Sequence, residues 1–296
     1  MKLIGLSMVA FVALFIVVPH NAGAQMAIEI VKQNEALAKE INLCDATADF
    51  IYDYRYNKDT ASGEPLYKEL KMLLRVGKEM SRFYSLDRVV FDSLKLANPQ
   101  EVLANIGKYK LGSTVNIIKK NGDSRLIYSD KIGNDYYKYE EPFPSMEWTI
   151  GEETKEILGY TCTRAEMVFR GRRWIAWFAP DIPIIDGPWK FRGLPGLIME
   201  IKDTRAHYSW IISGINNLEG SGKKVSMMDY QYIKTNRGSF YKLLHKSVVN
   251  LIDFLKINSP EVKITVTTPD GSPYIPKDSP MKYGFIETDI IGPDYK

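Results

Sequence analysis

Cysteine occurs twice and histidine three times among the 296 residues. Few side chains are therefore left for a transition metal, and neither CxxC nor HxxxH spacing occurs, so no metal centre is expected. P-loop, GxGxxG and HExxH patterns are missing as well, and with them the usual cradles for phosphate, dinucleotide and catalytic zinc. No cofactor is expected. The 39 Lys and Arg and the 36 Asp and Glu interleave, for a formal net charge of +3 without a long block of one sign. That balance does not indicate a nucleic-acid surface or an acidic polymer as partner. No internal repeat or low-complexity block interrupts the chain.

Long apolar runs are scarce too. The main one, Leu3 to Val18, follows Lys2 and precedes Pro19 and the small triplet Ala22-Gly23-Ala24. As a helix it would span about 24 Å, short of the roughly 30 Å hydrocarbon core. Together these features read as a secretory signal over residues 1–24, with a permanent anchor as the rival reading. The mature chain then begins at Gln25 and is exported, to the periplasm or beyond, with membrane contact at most peripheral. Ile41-Asn42-Leu43-Cys44 is too distant and too polar for a lipobox. In an oxidising compartment the pair Cys44 and Cys162 favours a disulfide, with two buried free thiols as the alternative. The loop-entropy argument assigns such a bridge about 4–5 kcal/mol.

What is present is a globular composition, 45% apolar and 12% aromatic, with 18 tyrosines. Residues 25–47 read as a leader, a short helix or loose segment. From Ala48 the pattern has period two: Ala48, Phe50, Tyr52, Tyr54 and Tyr56 share one face, Asp49, Asp53, Arg55 and Asn57 the other. This is a half-buried antiparallel strand. Lys68–Gly77 and Glu79–Tyr84 read as strands, and Ser85–Ile106 as two short helices divided at Asn98-Pro99. Asn121-Gly122 between alternating runs marks a hairpin. Further strands are expected at Asp135–Tyr139, Thr149–Leu158, Tyr160–Arg170, Trp174–Ala179 and Ala206–Ile215. Cys162 has the parity of Arg164 and Glu166, which places it on the outer face. Phe240, Leu243, Leu244, Val248, Leu251 and Leu255 recur at three and four residues, a helix of about five turns. Residues 259–296 are polar and read as a loose surface tail. The expected fold is one α+β domain over residues 48–258: a mainly antiparallel β-sheet or half-barrel with one long C-terminal amphipathic helix.

Residues 187–201 read GPWKFRGLPGLIMEI. Pro183, Pro188 and Pro195 forbid central-strand pairing at their own positions, so Ala179 to Arg192 is loop or edge. Leu194-Pro195-Gly196-Leu197 has the residue order of a type II turn, with Gly196 at φ near +80°. Leu197, Met199 and Ile201 then share a core-facing side. A turn that aims a buried strand accounts for all of this. The functional alternative is that Trp177, Trp189 and Phe191 line an aromatic binding pocket beside the loop.

"GLPGLI" at Gly193, Leu194, Pro195, Gly196, Leu197 and Ile198, preceded by Gly187-Pro188, Trp177 and Ile182-Pro183, resembles the signature of the GLPGLI family of exported proteins of gram-negative bacteria. Ile157 to Cys162 with Ala165, and Ser81, Phe83 to Ser85 and Asp92-Ser93, extend the likeness over roughly residues 50–215. The resemblance implies secretion and antiparallel β structure, and it transfers no catalytic residue.

No catalytic constellation stands out. His207 shares strand parity with Ser209, but no GxSxG elbow or placed carboxylate accompanies them. His245 sits within the helical pattern. Glu140-Glu141 and Glu152-Glu153 are adjacent pairs, which on a strand point to opposite faces and do not converge. Two function classes remain. One is a non-catalytic periplasmic binding or envelope-accessory protein, whose partner is an envelope protein, a peptide or an apolar ligand. The alternative is a periplasmic hydrolase with an unrecognised active site, which convergence of any of His207, Glu152, Glu153, Asp181 and Asp186 in one cleft would favour.

Overall fold

The computed structural model describes residues 12–17, 25–30, 39–57, 65–120, 125–133, 135–249, 262–267 and 285–290. In chain order the first elements are β1 (Val12–Val17), β2 (Gln25–Ile30), β3 (Lys39–Asn57), β4 (Tyr67–Gly77) and β5 (Met80–Ser85). Helices α1 (Leu86–Ala97) and α2 (Pro99–Ala104) follow, then β6 (Asn116–Lys120), β7 (Arg125–Ile132) and β8 (Asp135–Pro142). Next come β9 (Thr149–Ile157), β10 (Tyr160–Phe169), β11 (Arg172–Ala179), β12 (Leu197–Asp203) and β13 (Tyr208–Asn217). The last are β14 (Lys224–Asp229), β15 (Tyr232–Lys234), α3 (Arg237–Val249) and β16 (Val262–Thr267). Strands β1, β2 and β16 make a small antiparallel sheet. Cleavage before Gln25 would remove β1 and leave the β2–β16 pairing.

The large sheet has 13 strands in the order β15-β8-β7-β6-β5-β4-β3-β13-β12-β11-β10-β9, with β14 also paired to β3. It consists of two meanders, β3 to β8 and β9 to β13, joined where β13 pairs with β3. Its pairings are antiparallel except the short β15–β8 contact. Strands β8 and β9 lie ten steps apart along this order, about 48 Å in a flat sheet. Yet only residues 143–148 connect them, a link that reaches roughly 24 Å when fully extended. The sheet must therefore curl. Its hollow holds one continuous core that includes Phe50, Leu74, Phe83, Ile117, Tyr139, Trp174 and Trp210.

The loop between β11 and β12 fills that hollow. Trp189, Phe191 and Leu194 are buried within the core, and Phe191 packs edge-on against Trp174 with ring centroids 4.7 Å apart. Internal hydrogen bonds satisfy the loop's backbone: Leu197 N donates to Ile182 O (3.1 Å), Ile198 N to Asp186 O (3.0 Å) and Phe191 N to Pro188 O (3.1 Å). The Tyr52 hydroxyl donates to Ile198 O at 2.8 Å, so β3 also holds the loop's exit. Without these partners, buried loop amides would be costly.

Several expectations need correction. The chain is mostly β, its helices are short, and no long C-terminal helix is described. Helix α3 ends at Val249, and Leu251 and Leu255 lie outside the described residues. Within it Phe240, Tyr241 and Ser247 are buried and Leu243 and Leu244 pack partly against the core, so the helix covers the sheet over this short span rather than with a long stripe. Residues 25–47 are not helical where described: β2 and the start of β3 occupy them. The tail is not wholly loose, since Glu287 and Thr288 are buried. Cys44 and Cys162 are both free thiols and belong to different apolar clusters, so the expected disulfide is not formed. Cys162 faces inward because a register shift between Thr163 and Ala165 reverses the strand's alternation.

Gly196 departs from the type II geometry, with φ at 149° and its amide bonded to Leu194 O at 2.8 Å. A Cβ there would sit 2.2 Å from Ala179 O. Gly196→Ala should therefore lower stability by roughly 2–3 kcal/mol, combining backbone strain with a displaced β11 end. An unchanged urea midpoint would contradict this close approach.

Candidate functional site

The family-like stretch is anchored by buried charge. Asp186, two residues before Pro188, forms an ion pair with Lys119 of β6 and accepts from the Ser81 hydroxyl of β5. Lys119 also donates to Gly187 O at 2.6 Å, and Gly187 N donates to Asp186 at 2.7 Å. Burial pushes Lys119 below the ordinary lysine range, and the adjacent Asp186 opposes that shift. Lys190 is fully buried and reaches Glu141 (2.7 Å), Glu287 (2.5 Å) and the Tyr139 hydroxyl (2.9 Å). Arg237 closes on the second oxygen of Glu287, and Arg170 pairs with Glu141 at 2.8 Å. These contacts clamp residues 285–290 to β8, the loop and α3. Breaking one partner of such a pair strands the other, typically at 3–5 kcal/mol.

The three aromatic residues read as a pocket are not one. Trp189 and Phe191 are core, and Trp189 holds a left-handed φ of 51° that only its enclosed packing sustains. Trp177 is half-buried on the opposite face of β11, under Lys155 at 4.5 Å. Gly187, Pro188, Gly193, Leu194, Pro195, Gly196, Leu197 and Ile198 all belong to the filling loop and its exit strand, and a Cβ on Gly187 would meet Ile198 at 2.8 Å. His207 lies 3.2 Å from Arg172, which pairs with Asp203 at 2.9 Å. Burial, and then Arg172, lower the His207 pKa. Glu153 pairs with Arg164, Asp186 with Lys119, and Glu152 and Asp181 are exposed. The five residues do not converge. Among the described residues no group of three or more His, Cys, Asp or Glu could hold a metal. No described helix is long and apolar enough to cross a membrane.

A cleft lies elsewhere, on the outer face. Ser81 and Phe83 of β5 point into the core, so Arg82 and Tyr84 point away from it. Together with Ser85 and Arg88 at the start of α1, Asn116, Ser129, Tyr136, Tyr230 and Tyr232, they line a hollow of about 70 Å³. Ser85 caps α1, accepting from Arg88 N at 3.2 Å. Arg82 is held by Asn116 Oδ1 (2.5 Å) and Ser226 O (2.5 Å) and lies 4.0 Å over the Tyr84 ring. Burial lowers its pKa. Sequence reasoning missed this cleft, because its residues run from Arg82 to Tyr232 without a local motif.

Comparison with known proteins adds a partial match. A family described as "Protein of unknown function (Porph_ging)" matches residues 170–200. Those residues are β11, the filling loop and the start of β12. No curated protein matches the chain. Two solved structures of PNGF-II, in space groups P21 and C2, are similar in part. The first has a TM-score of 0.47 at 12% identity and covers 69% of this chain and 34% of that one. The second has a TM-score of 0.45 at 13% identity and covers 69% and 33%. This chain spans about a third of the length of PNGF-II.

Beside the cleft, Asp130 accepts from the Thr114 hydroxyl (2.5 Å) and from Lys131 N (2.8 Å). Burial nevertheless raises its pKa to about 6. An unfolded aspartate releases its proton near about 3.9. Between these values the native state binds more protons, so stability falls as pH rises through the window and the penalty is complete above it. Asp130→Asn keeps both acceptor contacts and removes the charge. Its urea midpoint relative to the parent should therefore rise from about pH 4 to about pH 7. An offset equal at both pH values would contradict the raised pKa.

Proposed function

We propose that the chain is an exported, non-catalytic binding or envelope-accessory protein of the GLPGLI type. The observation that carries this reading is the outer cleft, where a fixed guanidinium and several tyrosines border a preformed hollow. Preorganised walls lower the ordering cost of binding. Export is supported by the signal-like residues 1–24, and the family reading by the spelling of residues 193–198 and the match over residues 170–200. Of the expected partners, an envelope protein, a peptide or an apolar ligand, the lining chemistry disfavours the apolar ligand and favours a polar one. The separate partners of His207, Glu153 and Asp186 favour binding over hydrolysis.

Native mass spectrometry of the protein taken from its own periplasm tests the reading. The expected species begins at Gln25 and carries a non-covalent mass that unfolding releases. Retention of residues 1–24 would reject export. Turnover of peptide, ester or glycan libraries that disappears in His207→Gln would reject the non-catalytic assignment.

A further inference from the structure

We propose that the outer cleft binds a small organic monocarboxylate whose flat ring rests against the tyrosines at its mouth. This deepens the binding reading above and rests on it.

The charge argument starts from Arg82. Among the described residues its neighbours have carboxylate partners, Arg75 with Asp49 at 2.7 Å and Arg88 with Asp92 at 2.8 Å. Arg82 forms no ion pair within 4 Å among the described residues. Its fixed contacts are two neutral oxygens, on Asn116 and Ser226, which engage two of the five donors of a guanidinium. Glu40 acts on Arg82 from nearby, but its own oxygen is engaged by the Ser226 hydroxyl at 2.5 Å. The remaining donors form a planar fork, the geometry that pairs with a carboxylate. A single guanidinium with unused donors matches a monoanion better than a dianion. A phosphate dianion would need a second, and Arg88 is already taken by Asp92.

Size and shape select the rest of the ligand. The hollow of about 70 Å³ is small and partly open, which suits a carboxylate head group. The rest of the ligand then meets the tyrosines of the lining. There Tyr136 and Tyr230 stack with centroids 3.8 Å apart, and Tyr232 meets Tyr230 edge-on at 5.9 Å. Such a wall favours a planar ring over an aliphatic chain.

Benzoate is the probe, with benzamide as its neutral counterpart and inorganic phosphate as the anion without a ring. Each is titrated into the full mature protein, by calorimetry and by the NMR signal of the Arg82 side-chain Nε–H. Benzoate should saturate and move that signal, with benzamide and phosphate at least about tenfold weaker. Arg82→Lys keeps the charge but loses the fork and should weaken benzoate about tenfold. Tyr230→Ala, at the mouth and away from the Ser226 contact, should weaken it severalfold if Arg82→Lys disturbs folding. Arg173→Gln, on distant β11, should leave it unchanged. Equal binding of benzoate and benzamide, or tighter binding of phosphate, would overturn the carboxylate assignment and leave the cleft a binding site. Silence from all three probes would overturn this proposal, while the non-covalent mass carried by the native protein separately decides the binding reading.

Discussion

The buried contact between Lys119 and Asp186 is the constraint on which the rest of the structure depends. One partner sits on β6 and the other in the loop between β11 and β12, so the pair joins the two meanders across the hollow of the curled sheet. Losing either charge would leave the other buried without its partner, at a cost of several kcal/mol, so the two sides of the hollow are held in register. Once the loop is seated, Trp189 and Phe191 complete the aromatic core, and Lys190 reaches Glu141 and Glu287 on the far side. The loop thus acts as a filling that sets the curvature of the sheet. That role explains why its glycines and prolines are spaced so tightly: Gly187 lies under Ile198 and Gly196 against the Ala179 carbonyl.

Much of the strand content was legible. The alternation from Ala48 to Tyr56 places the same residues on the core that the structure does, and Ser85 and Pro99 mark the starts of α1 and α2. Three things were not legible, for physical reasons. A bulge has no local signature, and the one between Thr163 and Ala165 turned Cys162 inward. Leucine spacing marks an apolar face but not how far it stays covered, hence the overlong helix. Lys190 and Arg192 alternate with Trp189 and Phe191, a pattern that suggests a solvent-facing loop. Only the three-dimensional fold shows that Lys190 is neutralised by Glu287, 97 residues away. The outer cleft was invisible for the same reason, since non-local pairing assembles it.

Motif and cleft therefore separate. The stretch that carries the family likeness is core material, and the groups that suit a ligand lie on the opposite face of β5. One strand serves both, with Ser81 and Phe83 inward and Arg82 and Tyr84 outward. This coupling gives the cleft a rigid back wall: β5 is fixed from within by the same Asp186 that fixes the loop.

Native-state hydrogen exchange tests the filling role most directly. If the loop is integral to the core, the amides of Phe191, Leu197 and Ile198 should exchange only through global unfolding, with the same urea dependence as the central amides of β3 and β4. Exchange of the loop amides by local opening, while β3 and β4 stay protected, would show that the sheet holds its curl without the loop and would contradict the account.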